Sequence, residues 1–359
     1  MSACFPHDFL ECHITYWIWR TVPVLLLVIG TFGNILNIVI LLRKRMRQHS
    51  ISVHLLFLAV ADLALLWTST FSHMYQQVHR INVRNSSAFL CTAFPWINYG
   101  IAGFSVWLLV VVTTERVLVT SSFALSKKKL SNKTAVIISC ILLAICLLFP
   151  LHYYFGFRLD TFPKQTGNFT NLNEMWTVCV KVSETFENFY KNVWPVMIMT
   201  VLNIIPMVLI VSGNLTILIN IVRHARQMDR VLPENRNAEI RNSRRNRFLY
   251  KMLFLVCGCF VVTNLPYNVY LQFWDRIDVS TPRGLARRNM YDAIFLCLTY
   301  CNFALNFVLY FVSGTLFKQE FRALSKECVM LVRKGLCFQT SVREASTMYN
   351  RTPVINTLT

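Results

Sequence analysis

The sequence predicts an all-α membrane protein: a seven-transmembrane helix bundle with a short amphipathic cytoplasmic helix after the seventh span. Three observations predict it. Of 359 residues, 55% are hydrophobic and 15% charged, with mean hydropathy +0.45, whereas a soluble domain is about 45–50% apolar and about 25% charged. The apolar residues fall in seven runs of about 20 positions or more, enough helix to cross roughly 30 Å of hydrocarbon. Lys and Arg gather between alternate runs, as they do on the cytoplasmic side of membrane proteins.

In order, the runs are Thr21 to Leu42, Val53 to Phe71, Phe94 to Thr114, Thr134 to Phe157, Asn192 to Val222, Met252 to Trp274 and Ala293 to Phe317. Only the second contains an acid, Asp62, which costs roughly 2.5–3.5 kcal/mol at a helix centre unless it faces a polar interior. Residues 1–20 show no basic region followed by a cleavable apolar segment, so they read as an outer tail, with the first span as the targeting signal. The bundle then occupies residues 21–317. With the N-terminus outside and the C-terminus inside, 25 of the 36 Lys and Arg face the cytoplasm, and nearly all of the +19 charge lies there. Those bases flank spans where positive-inside sorting and anionic lipid place them, which excludes a nucleic-acid partner in favour of membrane lipid.

After the seventh run, residues 314–328 read as an amphipathic helix lying on the membrane. Phe317, Phe321 and Leu324 form one stripe, with Lys318 and Arg322 on the other side. Residues 329–359 read as a disordered tail bearing Ser and Thr.

Of the twelve cysteines, Cys91 and Cys179 stand in the oxidising outer compartment and form the natural pair. Cys4 and Cys12 in the outer tail can pair with each other. Cys328 and Cys337, beside basic residues after the last span, suit palmitoylation. Asn85 and Asn168 head Asn-x-Ser/Thr triplets in the outer loops, where glycosylation occurs.

Gly33-Asn34, Leu58-Ala59-Val60-Ala61-Asp62-Leu63, Cys91, Glu115-Arg116-Val117, Pro150, Pro206, Phe260 with Pro266, and Asn306-Phe307-Val308-Leu309-Tyr310 follow one another in order. Together they resemble the marks of the rhodopsin-like (class A) G-protein-coupled receptors over roughly residues 20 to 325. There are departures. Cys140 stands where the fourth helix usually has Trp, Thr263-Asn264 where the sixth has Cys-Trp, and Phe307 where the seventh has Pro, which removes a kink. The seventh span has no Lys for an opsin's Schiff base. Asn98 stands where a monoamine receptor has its carboxylate. What remains is similar to the peptide branch, and Gly33-Asn34-Ile35-Leu36 with Pro206 and Asn214 resembles invertebrate FMRFamide-type neuropeptide receptors.

The resemblance implies a plasma-membrane receptor without catalytic residues or cofactor. Its partners are an extracellular peptide ligand, heterotrimeric G proteins, arrestin and receptor kinases. It implies a ligand pocket of His73, Gln76, Asn98, Tyr99, Tyr267, Asn268, Leu271, Asp292, Leu296 and Tyr300. It implies a coupling switch of Glu115, Arg116, Phe260, Pro266 and Tyr310, in which Glu115 and Arg116 satisfy each other at rest. Ser105, Asn302 and Asn306 join Asp62 as oxygen donors suited to a structural sodium ion, the alternative being a hydrated patch around a protonated Asp62. A lipid or small neutral ligand is the rival reading. Against a seven-span transporter or channel stand the lack of an inverted repeat and of a second charged span residue. Against an enzyme stands the lack of a metalloprotease, nucleophile-elbow or phosphate-loop motif.

Overall fold

The computed structural model describes residues 9–121, 130–166, 169–228, 255, 258–271, 277, 279–313 and 317–330. Asn168, Cys4, Cys337, Asp275, Asp278, the start of the sixth span and the tail from residue 331 lie outside them. The chain divides into Met1–Gly314 and Thr315–Thr359. In the second unit, residues 317–330 form a helix that bears the expected apolar stripe. Among the described residues six helices are long and apolar enough to cross a membrane.

Helix α1, Leu10–Leu41, starts well before Thr21. The expected tail of residues 1–20 is corrected: residues 10–20 belong to the first helix. Its early charges have local partners. Glu11 accepts from the Nε of Arg283 and of Arg287 at 3.2 and 3.4 Å, and the Arg20 guanidinium lies 3.6 Å from the centre of the Tyr16 ring. Cys12 is disulfide-bonded.

Helix α2, Ser50–His79, is interrupted by a π-helical turn at Leu66–Thr70. Helix α3, Ala88–Ser121, packs against α2 and against the next two spans. Helix α4, Asn132–Leu148, is capped by Ser131, whose hydroxyl accepts from Thr134 N–H. Only Ala135, Ser139 and Cys146 of this helix are buried, and Cys140 is exposed.

The long loop after α4 departs from the all-α expectation. Strands β1, Phe157–Thr166, and β2, Phe169–Lys181, pair antiparallel with Leu159 opposite Cys179, and the register shifts at Pro163/Lys164. Thr177-Val178-Cys179-Val180 has the β-branched, compact side chains that suit a pleated ribbon.

Helix α5 starts at Glu184 under a Ser183 cap and ends with the segment Ile205–Met228. It contains π-helical turns at Phe189–Val193 and Met199–Ile204, each just ahead of a proline, Pro195 or Pro206. A proline cannot donate to the carbonyl four residues back and its ring crowds that oxygen, so a widened turn relieves the strain.

The described part of α6 is residues 258–271. Helix α7, Pro282–Ser313, begins before the expected Ala293. Thr281 caps it by accepting from Gly284 N–H, and Pro282 fills the first helical position, where its missing N–H costs nothing. Helices α1 and α7 approach closely: a Cβ on Gly33 would stand 2.9 Å from Phe307 Cβ. Asn34 ties them by donating to Gly30 O and Phe303 O at 2.9 and 2.8 Å.

Candidate functional site

At one end of the bundle the Cys91–Cys179 disulfide joins α3 to β2, with the two Cα atoms 5.5 Å apart. The turn between α2 and α3 is fastened over it. The Asn85 Oδ1 accepts from Cys179 N–H and the Asn85 carbonyl accepts from the Thr177 hydroxyl. The Arg84 guanidinium lies 4.7 Å from the Phe157 ring centre and donates to Cys91 O. The proposed glycan acceptor Asn85 thus also has its side-chain oxygen engaged by the hairpin.

Beneath the hairpin, an aromatic wall forms where α3, the end of α4 and the start of α5 meet. Tyr99 stacks on Tyr153 at 5.1 Å and meets Trp194 edge-on. Buried Trp194 donates to the Tyr153 hydroxyl at 2.8 Å, and His152 lies edge-on to Trp194 at 4.1 Å. Of this wall the sequence reading found only Tyr99. The signal lay in Phe186, Phe189, Tyr190 and Trp194, spaced three, one and four apart at the start of α5.

The pocket expected from the resemblance is partly assembled. Tyr267 of α6 lies within electrostatic reach of Tyr99, Asp292 and Tyr190, and Tyr300 of Tyr267 and Tyr99. His73 Nδ1 hydrogen-bonds the Tyr300 hydroxyl, and Gln76 follows one turn later on α2. Asp292 accepts a hydrogen bond from Tyr270 with Arg288 near it. Two expected lining residues also hold the scaffold. Asn98 Oδ1 accepts from the hydroxyls of Thr68 and Ser69, each at 2.7 Å, while its amide donates to Phe94 O. Leu296 packs onto the core shared by α1, α2 and α7. Leu271 is exposed at the end of the described α6, and Asn268 is buried with its amide donating to Asn264 O.

Halfway down the bundle, Asp62 is fully buried. Its Oδ1 accepts from Ser105 Oγ at 2.9 Å and its Oδ2 from Asn306 Nδ2 at 2.5 Å. Asn302 is buried one turn before Asn306 on the same face of α7. Each of the four carries a side-chain oxygen, the donor type that hard cations prefer, and Asn306 here turns its amide nitrogen to Asp62.

At the far end stand Glu115 and Arg116. Arg116 lies within electrostatic reach of Glu115, and Glu115 has further partners. Glu115 is turned to α2, where the Ser50 hydroxyl donates to its Oε1 and His54 Nε2 lies 3.7 Å from its Oε2. Phe260 and Tyr310 are buried, and Pro266 lies within α6. Where the usual Trp would stand, Asn264 donates to Phe260 O at 2.9 Å. Cys328 is a free, exposed thiol.

No curated protein matches the chain. The family profile of the 7 transmembrane receptor (rhodopsin family) matches residues 33–310, from Gly33 of the α1–α7 contact to buried Tyr310. With that match over most of its length, six membrane-length helices among the described residues and the α3–hairpin disulfide, the chain belongs to the rhodopsin family of seven-transmembrane receptors, multi-pass membrane proteins that are not enzymes and that relay an extracellular ligand to G proteins.

Proposed function

We propose that this receptor binds a short, amidated, cationic peptide at the disulfide end of the bundle, in the manner of invertebrate FMRFamide-type receptors, with its N-terminus outside the plasma membrane. The observation that carries the reading is Asp292. Glu11 is shared by Arg283 and Arg287, and Glu187 by Lys181 and Lys191, each at ion-pair distance. Asp292 has Arg288 near it and, in addition, faces the phenol rings of Tyr267 and Tyr270. A half-buried carboxylate beside aromatic faces suits a guanidinium, through a charge-assisted bond and cation–π attraction. With Asn98 committed to α2, the carboxamide terminus falls to Asn268, whose side-chain oxygen can accept from it. The Gly33-Asn34-Ile35-Leu36 and Pro206/Asn214 marks support the subfamily. The test is a screen of amidated peptides against their free acids, on wild type and Asp292→Asn. Activation that needs both the amide and an arginine, and that falls at least about tenfold in Asp292→Asn, supports the reading. Activation by a lipid alone, or indifference to Asp292→Asn, overturns it.

The oxygen donors around Asp62 fit a sodium ion. Asp62, Ser105, Asn302 and Asn306 would hold it, and bound there it would favour the packing in which α2, α3 and α7 stay drawn together.

A further inference from the structure

We propose that His54 is a positioning residue for Glu115 and, through it, for the end of α3 that carries Arg116 in G-protein coupling. His54 is fully buried in α2. Its Nδ1 stands 2.9 Å from Ser139 Oγ of α4 and its Nε2 faces Glu115 Oε2 of α3 at 3.7 Å. Ser50, one turn earlier on α2, donates to the other carboxylate oxygen. α2 therefore holds the carboxylate of α3 from both oxygens, and α4 reaches it through the His54 ring.

The geometry has an unfinished part. His54 Nε2 and Glu115 Oε2 are both buried without a hydrogen-bond partner, and they point at each other. Their 3.7 Å separation exceeds the roughly 2.7–3.2 Å of a hydrogen bond and is too short to hold a water between them. A slide of under about 1 Å would satisfy both atoms at once. If the Ser139 hydroxyl donates to Nδ1, the ring proton sits on Nε2, aimed at the carboxylate, so α4 sets the tautomer that α3 needs. The contact has an open and a closed form, and interfaces with two discrete packings are what convert small shifts into switching. Closed, it ties α3 to α2 and α4. A G protein needs the end of α3 free to rearrange, so the contact restrains coupling, and its loss raises ligand-independent exchange.

The test is a double-mutant cycle on purified full-length receptor in lipid nanodiscs, without ligand, read as GTP exchange on a panel of Gα proteins. His54→Phe keeps a ring but removes both nitrogens, and basal exchange per folded receptor rises about threefold or more. Glu115→Gln does the same, and the double variant does no more than the larger single, as expected when both act through one contact. His54→Gln returns an N–H donor toward Glu115 and restores the wild-type rate, which a merely structural role would not produce. Unchanged exchange in His54→Phe, additivity in the double variant, or failure of His54→Gln to rescue overturns the proposal. Should His54→Phe not fold, Ser139→Ala stands in, with a smaller rise expected, and no rise overturns the proposal. The cycle is also read on thermal unfolding, which needs no G protein. Additivity there overturns the His54–Glu115 contact whatever the exchange assay gives, so a failed contact and a failed coupling assay are told apart.

Discussion

Asn98 illustrates how a single side chain can look like a ligand contact and be a scaffold joint. Its oxygen takes two hydroxyls from the π-helical turn of α2, so Asn98→Ala removes the acceptor of Ser69, while Thr68 keeps Ala64 O, and lowers stability by about 1–3 kcal/mol. Thermal unfolding in detergent reads the loss, and ligand affinity per folded receptor stays within a few-fold. Asp62 behaves differently. Asp62→Asn keeps the shape but removes the charge, so agonist affinity that weakens with sodium chloride in wild type becomes indifferent to it in the variant. Comparison with choline chloride checks this, and since coupling is reciprocal, agonist also weakens sodium binding. Asp62 was legible because an acid in an apolar run stands out. His54 was not, because a neutral histidine and two serines pass unnoticed in a scan for charge, and only the packing of α2, α3 and α4 shows them converging.

At the scale of the element, close approach decides what can change. On α1, Gly33→Leu must push Phe307 and the backbone of α7 away, since even a Cβ would come within 2.9 Å of a Cβ that cannot swing aside. A loss of about 1–3 kcal/mol is expected, with a matching fall in folded receptor at the cell surface on quantitative immunoblot. Helix existence was readable from the apolar runs, but their ends were not. Charges near the disulfide end made α1 and α7 look shorter than they are, because Glu11 pairs with both Arg283 and Arg287 and both helices run on. The Thr281-Pro282 pair marked the true start of α7. The hairpin was missed because its strands have no apolar core of their own to impose a strict alternation, and the disulfide and the Asn85 clip hold β2 from outside.

For the molecule as a whole, the Asp62 layer lies between the disulfide end and the Glu115–Arg116 end, and a change at one end can leave the other intact. Arg116→Ala therefore abolishes agonist-driven GTP exchange while agonist binding in the absence of G protein changes less than about threefold. Parallel loss of surface binding and exchange at matched expression would place Arg116 in folding instead. Seven spans and their order were readable because membrane thickness and charge sorting are written locally in the chain. The convergence of residues from four helices was readable only through family resemblance, which fails wherever this chain uses a residue for its own scaffold.

The widened turns of α5 carry a practical consequence for comparing this chain with its kin. Each π-helical turn holds one residue more than an α-helical turn, and one residue is about 100° of rotation. Past Phe189–Val193 and Met199–Ile204, an uninterrupted helix laid over α5 residue by residue would be out of phase by about 200°. Positions matched by counting from the Glu184 end would then point to the wrong side by the time they reach Asn214. Site assignments on this helix have to be counted separately from each of its two prolines.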